Sequence, residues 1–84
     1  KESALAERER GRALSRAGDH AQAIAVLRAL HERAPGDAEV CFLLAWAQQN
    51  GREWTASNDA VERLLELAPA DRRAHQLRLR VLEA

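Results

Sequence analysis

The side chains able to do chemistry in this chain are few: one cysteine, three histidines, two tryptophans and one phenylalanine. Cys41 lies inside the apolar run Val40-Cys41-Phe42-Leu43-Leu44-Ala45-Trp46-Ala47, where a free thiol behaves as a small inert hydrophobe. His20, His31 and His75 are scattered, and none pairs with Cys, Asp or Glu at metal-ligand spacing, so no metal site is expected. Asp19-His20 reads as a helix cap beside a surface histidine, because no nucleophile is placed to complete a dyad. The glycines fall singly instead of forming a phosphate-cradling loop. The chain is accordingly expected to have no catalytic residue, no metal and no cofactor, and not to be an enzyme. What is left is recognition: Phe42 and Trp46 stand four apart and share one face of a helix. A tryptophan there can stack on an extended peptide, an aromatic side chain or a sugar ring.

Those side chains must be positioned by a small, helix-rich frame. At 84 residues the chain forms one domain at most, with about 60–65% of its unfolded surface buried. It is 46% apolar but only 4% aromatic, a mixture led by Ala and Leu that favours helix. Thirteen basic residues balance thirteen acidic ones, so no overall field draws nucleic acid or a membrane, and recognition by charge must come from local patches. No apolar run approaches the roughly 18–20 residues of a membrane span, and the first residues lack a signal-peptide layout. One cysteine excludes an intrachain disulfide and leaves both a cytoplasmic and a bacterial periplasmic location open. The start at Lys1, which is also the only lysine, suggests a piece of a larger protein from an arginine-rich, bacterial gene.

Punctuation divides the chain into five helical segments. The first, roughly 3–17, carries Leu5, Gly11 and Leu14 among charged residues. Gly11 inside it costs about 1 kcal/mol relative to Ala, which predicts a close crossing with the next helix. Gly18 reads as the left-handed residue that ends this helix, and Asp19 with Gln22 reads as a capping box. Ala23, Ile24, Leu27, Leu30 and Ala34 then recur at helical steps, and Pro35-Gly36 stops the second segment. Asp37 caps a third, 38–50, whose eight-residue apolar run predicts helix neighbours on more than one side. Asn50-Gly51 ends it. A fourth reaches about residue 68, its start obscured by Thr55, Ser57, Asn58 and Asp59, all better caps than interior residues. Pro69 closes the fourth, Asp71 can cap, and a fifth runs from Arg72 to near the end with Ala74, Leu77 and Val81 in one stripe and Leu79 and Leu82 beside it.

Pro35 and Pro69 are 69 − 35 = 34 residues apart, in the similar contexts LRALHERAPGD and VERLLELAPAD. With that period and these helical hairpins the chain resembles the tetratricopeptide repeat family. Setting each proline at the family's thirty-second position gives a first repeat over about 4–37, with Gly11, Leu14, Gly18, Ala23, Leu27, Leu30 and Pro35 at its small or apolar places. A second covers about 38–71, with Cys41, Leu44, Ala45, Leu64, Leu65 and Pro69. The first helix of a third occupies 72–84. Glu7 and Arg10 replace apolar residues, as in an end repeat. Gly51 arrives one residue early, which predicts a shifted, irregular second turn. Independently of the family, each hairpin is too thin to bury its own stripe and must stack on neighbours.

The resemblance implies an all-α fold, a right-handed superhelix of antiparallel helix pairs, whose first helices line a concave face. It would point Leu5, Arg8, Arg12, Glu39, Phe42, Trp46, Gln49, Arg73, Gln76 and Arg80 into a groove. The predicted partner-binding residues are Arg8, Arg12, Phe42, Trp46, Gln49, Arg73 and Arg80, with Trp and Arg the types that dominate interface hot spots. Where chaperone-tail clamps of the family carry basic and asparagine residues, this chain has Arg8, Arg12, Leu43, Arg73 and Leu77; the asparagines are absent, which argues against that ligand. The expected function is a non-catalytic scaffold for a protein or peptide, an acidic one if the arginines are free. Two alternatives stand beside it: a module of a bacterial envelope export machine associated with anionic polysaccharide, and an oligomerisation unit self-associating through Leu79 and Leu82. Trp54 is expected in the irregular turn, as a staple between hairpins.

Overall fold

Glycine, proline and aspartate set the helix boundaries in the computed structural model, which describes residues 4–83. Five helices run in order: α1 (Ala4–Arg16), α2 (His20–Arg33), α3 (Ala38–Asn50), α4 (Trp54–Leu67) and α5 (Arg72–Glu83). No strand occurs among the described residues. The starts of α1, α3 and α5 are 38 − 4 = 34 and 72 − 38 = 34 residues apart, and those of α2 and α4 are 54 − 20 = 34 apart. The spacing of the two prolines therefore governs every element, and the fold is an all-α helical repeat.

Aspartates start three of the helices. Asp19 accepts the Gln22 amide at 3.2 Å, Asp37 accepts those of Glu39 and Val40 at 3.0 and 3.3 Å, and Asp71 accepts that of Arg73 at 2.8 Å. Each satisfies donors that a first turn leaves open. Glu53, by contrast, precedes α4 without a side-chain cap. The four residues expected to cap α4 all lie inside it: Ser57 is fully buried and donates to the Ala45 carbonyl at 3.0 Å. Packing against α3 overrides the local preference of Ser for a helix end. Trp54 is the first residue of α4 and is 37% exposed, one place past the turn where it was expected.

Both turns within a helix pair close in the same way. Gly18 and Asp19 donate to Ser15 and Leu14 at 3.1 and 2.9 Å, and Arg52 and Glu53 donate to Gln49 and Gln48 at 2.9 and 2.8 Å. This double closure needs a left-handed residue at the position held by Gly18 and Arg52, whose φ angles are 89° and 63°. The second turn is thus not shifted, contrary to the reading of Gly51. Gly51 stays at φ −87°, one place too early, and Arg52 takes a conformation that costs a side chain with a Cβ about 1–2 kcal/mol.

The core is organised on α3. Val40, Leu43, Leu44 and Ala47 pack with Ala23, Ile24, Leu27 and Leu30 of α2. Ala45 joins Ala60 and Val61 of α4 with Leu77 of α5, while Cys41 joins Leu64 and Ala74. The apolar run of α3 is continuous because the helix has neighbours on both sides. Gly11 is the close crossing that its helix position predicts: a Cβ there would lie 2.6 Å from Leu27 Cδ2. On α5, Ala74 and Leu77 are buried and Leu79 is 60% exposed; the side chains of Val81 and Leu82 lie outside the described residues.

Candidate functional site

The first helix of each pair contributes to one cleft of about 210 Å³. Its floor is Phe42, Leu43 and Trp46 from α3, its rim Arg12 and Arg16 from α1, Arg73 from α5, and Glu39 from the first turn of α3. Phe42 packs against all three core clusters and Trp46 against two of them, yet both rings are only partly buried. One side of each ring closes the core and the other is offered to the cleft. Filling the superhelix and lining a groove are therefore not alternatives for these residues.

Glu39 organises the rim. It accepts Arg12 Nη2 at 3.2 Å and Arg73 Nη2 at 3.0 Å, so one carboxylate bridges α1 and α5 across α3. Arg73 is held from two further directions, by Asp71 at 3.3 Å and over the Phe42 ring at 4.1 Å from the centroid, within cation–π range. The hydrogen bond from Arg73 keeps the Asp71 carboxyl below its ordinary range, and the bonds to Glu39 and Asp71 raise the Arg73 guanidinium further still. Asp71 and, at 4.0 Å from Arg12, Glu9 add to Glu39, so the rim's charges nearly balance and Arg16 is the one cation lining the cleft without an acidic partner among the described residues.

Of the seven residues predicted from the sequence, the structure brings Arg12, Phe42, Trp46 and Arg73 together. Gln49 is a correction. It is 2% exposed, and its Nε2 donates to the Leu77 carbonyl at 2.6 Å, so it ties α3 to α5 and is closed to a ligand. The cause is tertiary: at the C-terminal end of α3 the helix α5 lies close enough for its Leu77 carbonyl to take the Gln49 amide. Arg8 is half-buried and Arg80 is exposed, and neither lines the cleft. Arg12 and Arg73 are not free: both are paired through Glu39. Arg16 and Leu43 line the cleft without having been among the seven; Arg16 stands one helical turn after Arg12, a spacing that places both on one face.

Cys41 does not join this chemistry. Fully buried, it donates to the Ala60 carbonyl at 3.2 Å, and burial pushes its thiol up to about 11, with Arg63 opposing. No group of three or more His, Cys, Asp or Glu suited to a metal occurs among the described residues. None of their helices is long and apolar enough to cross a membrane.

The 34-residue register agrees with a comparison of the sequence with protein families. A family model described as tetratricopeptide repeat matches residues 14–81. The chain belongs to the tetratricopeptide repeat family. Tetratricopeptide domains are generally non-catalytic scaffolds for contacts between proteins. The matched tetratricopeptide span takes in every cleft residue except Arg12. No curated protein matches the chain.

Proposed function

We propose that this tetratricopeptide module, with repeats over 4–37 and 38–71 and the first helix of a third over 72–84, holds a short extended segment of a partner protein in the cleft. The observation that carries the reading is an aromatic floor enclosed by an arginine rim on the face shared by α1, α3 and α5. A volume of about 210 Å³ is below the roughly 300 Å³ at which small-molecule sites begin, and it suits one apolar side chain. That side chain would lie over Phe42, Leu43 and Trp46. An acidic group next to it would meet Arg16, the rim cation with no ion-pair partner among the described residues. Arg12 and Arg73 would act chiefly by holding the rim in place.

The test is calorimetric titration of short peptides that pair one leucine or phenylalanine with one or two acidic residues, against the same peptides with lysine. The acidic set should bind, and more weakly as salt rises, since the screening length is about 8 Å at physiological ionic strength. Trp46→Ala should abolish binding with helicity preserved, and Arg12→Ala and Arg16→Ala should each weaken it several-fold. Phe42 is the wrong probe, because its removal would disturb three core clusters. An acidic peptide that binds equally well to Trp46→Ala and Arg16→Ala would sink this reading.

A further inference from the structure

The two complete helix pairs close on a small residue. In α1 it is Gly11, against Leu27 of α2; in α3 it is Ala45, clustered with Ala60 and Val61 of α4 and bonded through its carbonyl to Ser57. The same register in α5 falls on 45 + 34 = 79, and Leu79 there is 60% exposed. If α5 were to receive a helix as α1 receives α2, that helix would meet four side-chain carbons where even one at Gly11 would lie 2.6 Å from its neighbour. The outer face of α5 is therefore not shaped for one more helix in the repeat geometry.

Charge says what it is shaped for. Arg72 lies seven residues before Leu79, two helical turns away on the same face, at the register of Ala38; His75 between them is at the register of Cys41. Arg78 and Arg80 flank Leu79 in sequence, and none of these three arginines has an ion pair among the described residues. The first pair shows how such a face is answered: Glu7 of α1, at the register of His75, binds Arg33 at the far end of α2. On α5 the sign is reversed.

We propose that the outer face of α5 docks an acidic amphipathic helix of a partner protein, seated farther from α5 than α2 and α4 are from α1 and α3, with Leu79 as its apolar contact and Arg72 and Arg78 as its cations. A second copy meeting α5 with α5 would instead set these arginines against one another. This surface is separate from the cleft and does not depend on the cleft binding a peptide.

Three synthetic helices of equal length test the proposal by titration into the intact chain: a leucine-faced helix flanked by glutamates, the same helix flanked by lysines, and a peptide of residues 54–67, the occupant that repeat geometry prefers. The glutamate helix should bind, lose at least tenfold in affinity on Leu79→Ala and several-fold on Arg72→Gln, and be unaffected by Trp46→Ala. The lysine helix should not bind. The 54–67 peptide should bind Leu79→Ala more tightly than the unmodified chain. Failure of the glutamate helix to bind, or indifference of its binding to Leu79→Ala, overturns the proposal. So does sedimentation showing a dimer that Leu79→Ala dissolves, which would give the face to a second copy.

Discussion

The pairs α1–α2 and α3–α4 share one register and close differently. Where the first uses Gly11 against Leu27, the second uses Ala45 with Val61: one carbon has moved from one side of the crossing to the other. Where the first sets Glu7 against Arg33, the second buries Cys41 against the Ala60 carbonyl. The first turn has Gly18 at its left-handed position and the second has Arg52. The difference in polarity follows from neighbours. Helix α3 has helices packed on both sides and buries eight of its 13 residues, whereas α1 packs, among the described residues, against α2 and α3 and keeps charge on its open flank. A repeat therefore preserves geometry and total volume, and lets polarity vary with place in the stack.

The largest test of that contrast removes equivalent leucines. Leu30 and Leu64 occupy one register and are both buried; Leu64→Ala and Leu30→Ala should each cost about 2–5 kcal/mol in denaturant unfolding. An unchanged midpoint for either would contradict the core described here. Next comes the buried thiol. An unfolded cysteine ionises near about 8.5, and the folded one is pushed up to about 11, so the advantage of the neutral buried form is complete below about pH 8.5. It is lost as pH rises through about 11, at most about 3 kcal/mol. With no tyrosine and Lys1 alone among lysines, few other groups titrate there. Stability measured between pH 8 and 10.5 should fall, and the fall should flatten in Cys41→Ala; an equal fall in both would assign it elsewhere.

Exchanging the crossings tests volume directly. Gly11→Ala should destabilise by about 1–3 kcal/mol through the clash with Leu27, although Ala is the better helix former. Adding Leu27→Val recreates the pair found in α3–α4 and should recover most of the loss, a coupling that two independent sites would not show. The smallest change concerns the turns: Arg52→Gly should stabilise by about 1 kcal/mol by relieving the left-handed residue, and Gly18→Ala should destabilise by a similar amount. A lower melting temperature for Arg52→Gly would mean that its side chain holds something in place.

Much of this was legible in the residues because the signals are local. Pro35, Pro69 and three aspartates mark helix ends through bonds within a few residues, and Gly11 announces a crossing by its cost. The early Gly51 misled because turn chemistry was judged alone, while packing of α4 on α3 held the register and passed the strain to Arg52. Ser57 misled for the same reason, its hydroxyl satisfied by a carbonyl on another helix. In the cleft, Phe42 and Trp46 could be found from their spacing; the fate of Gln49 and of the arginines could not.

By itself the sequence determined the repeat length, the helix boundaries to within a residue or two except at the start of α4, and the buried stripes of α2 and α3. These depend on short-range capping and on the fixed angular step of a helix. Only the tertiary structure decided that Glu39 bridges Arg12 and Arg73, that Gln49 is sealed against Leu77, that Arg16 has no ion partner among the described residues, and that Leu79 stands out where Gly11 and Ala45 lie flat. Those outcomes depend on distances between residues about 27–34 apart in sequence, and the crossing of α1, α3 and α5 sets them.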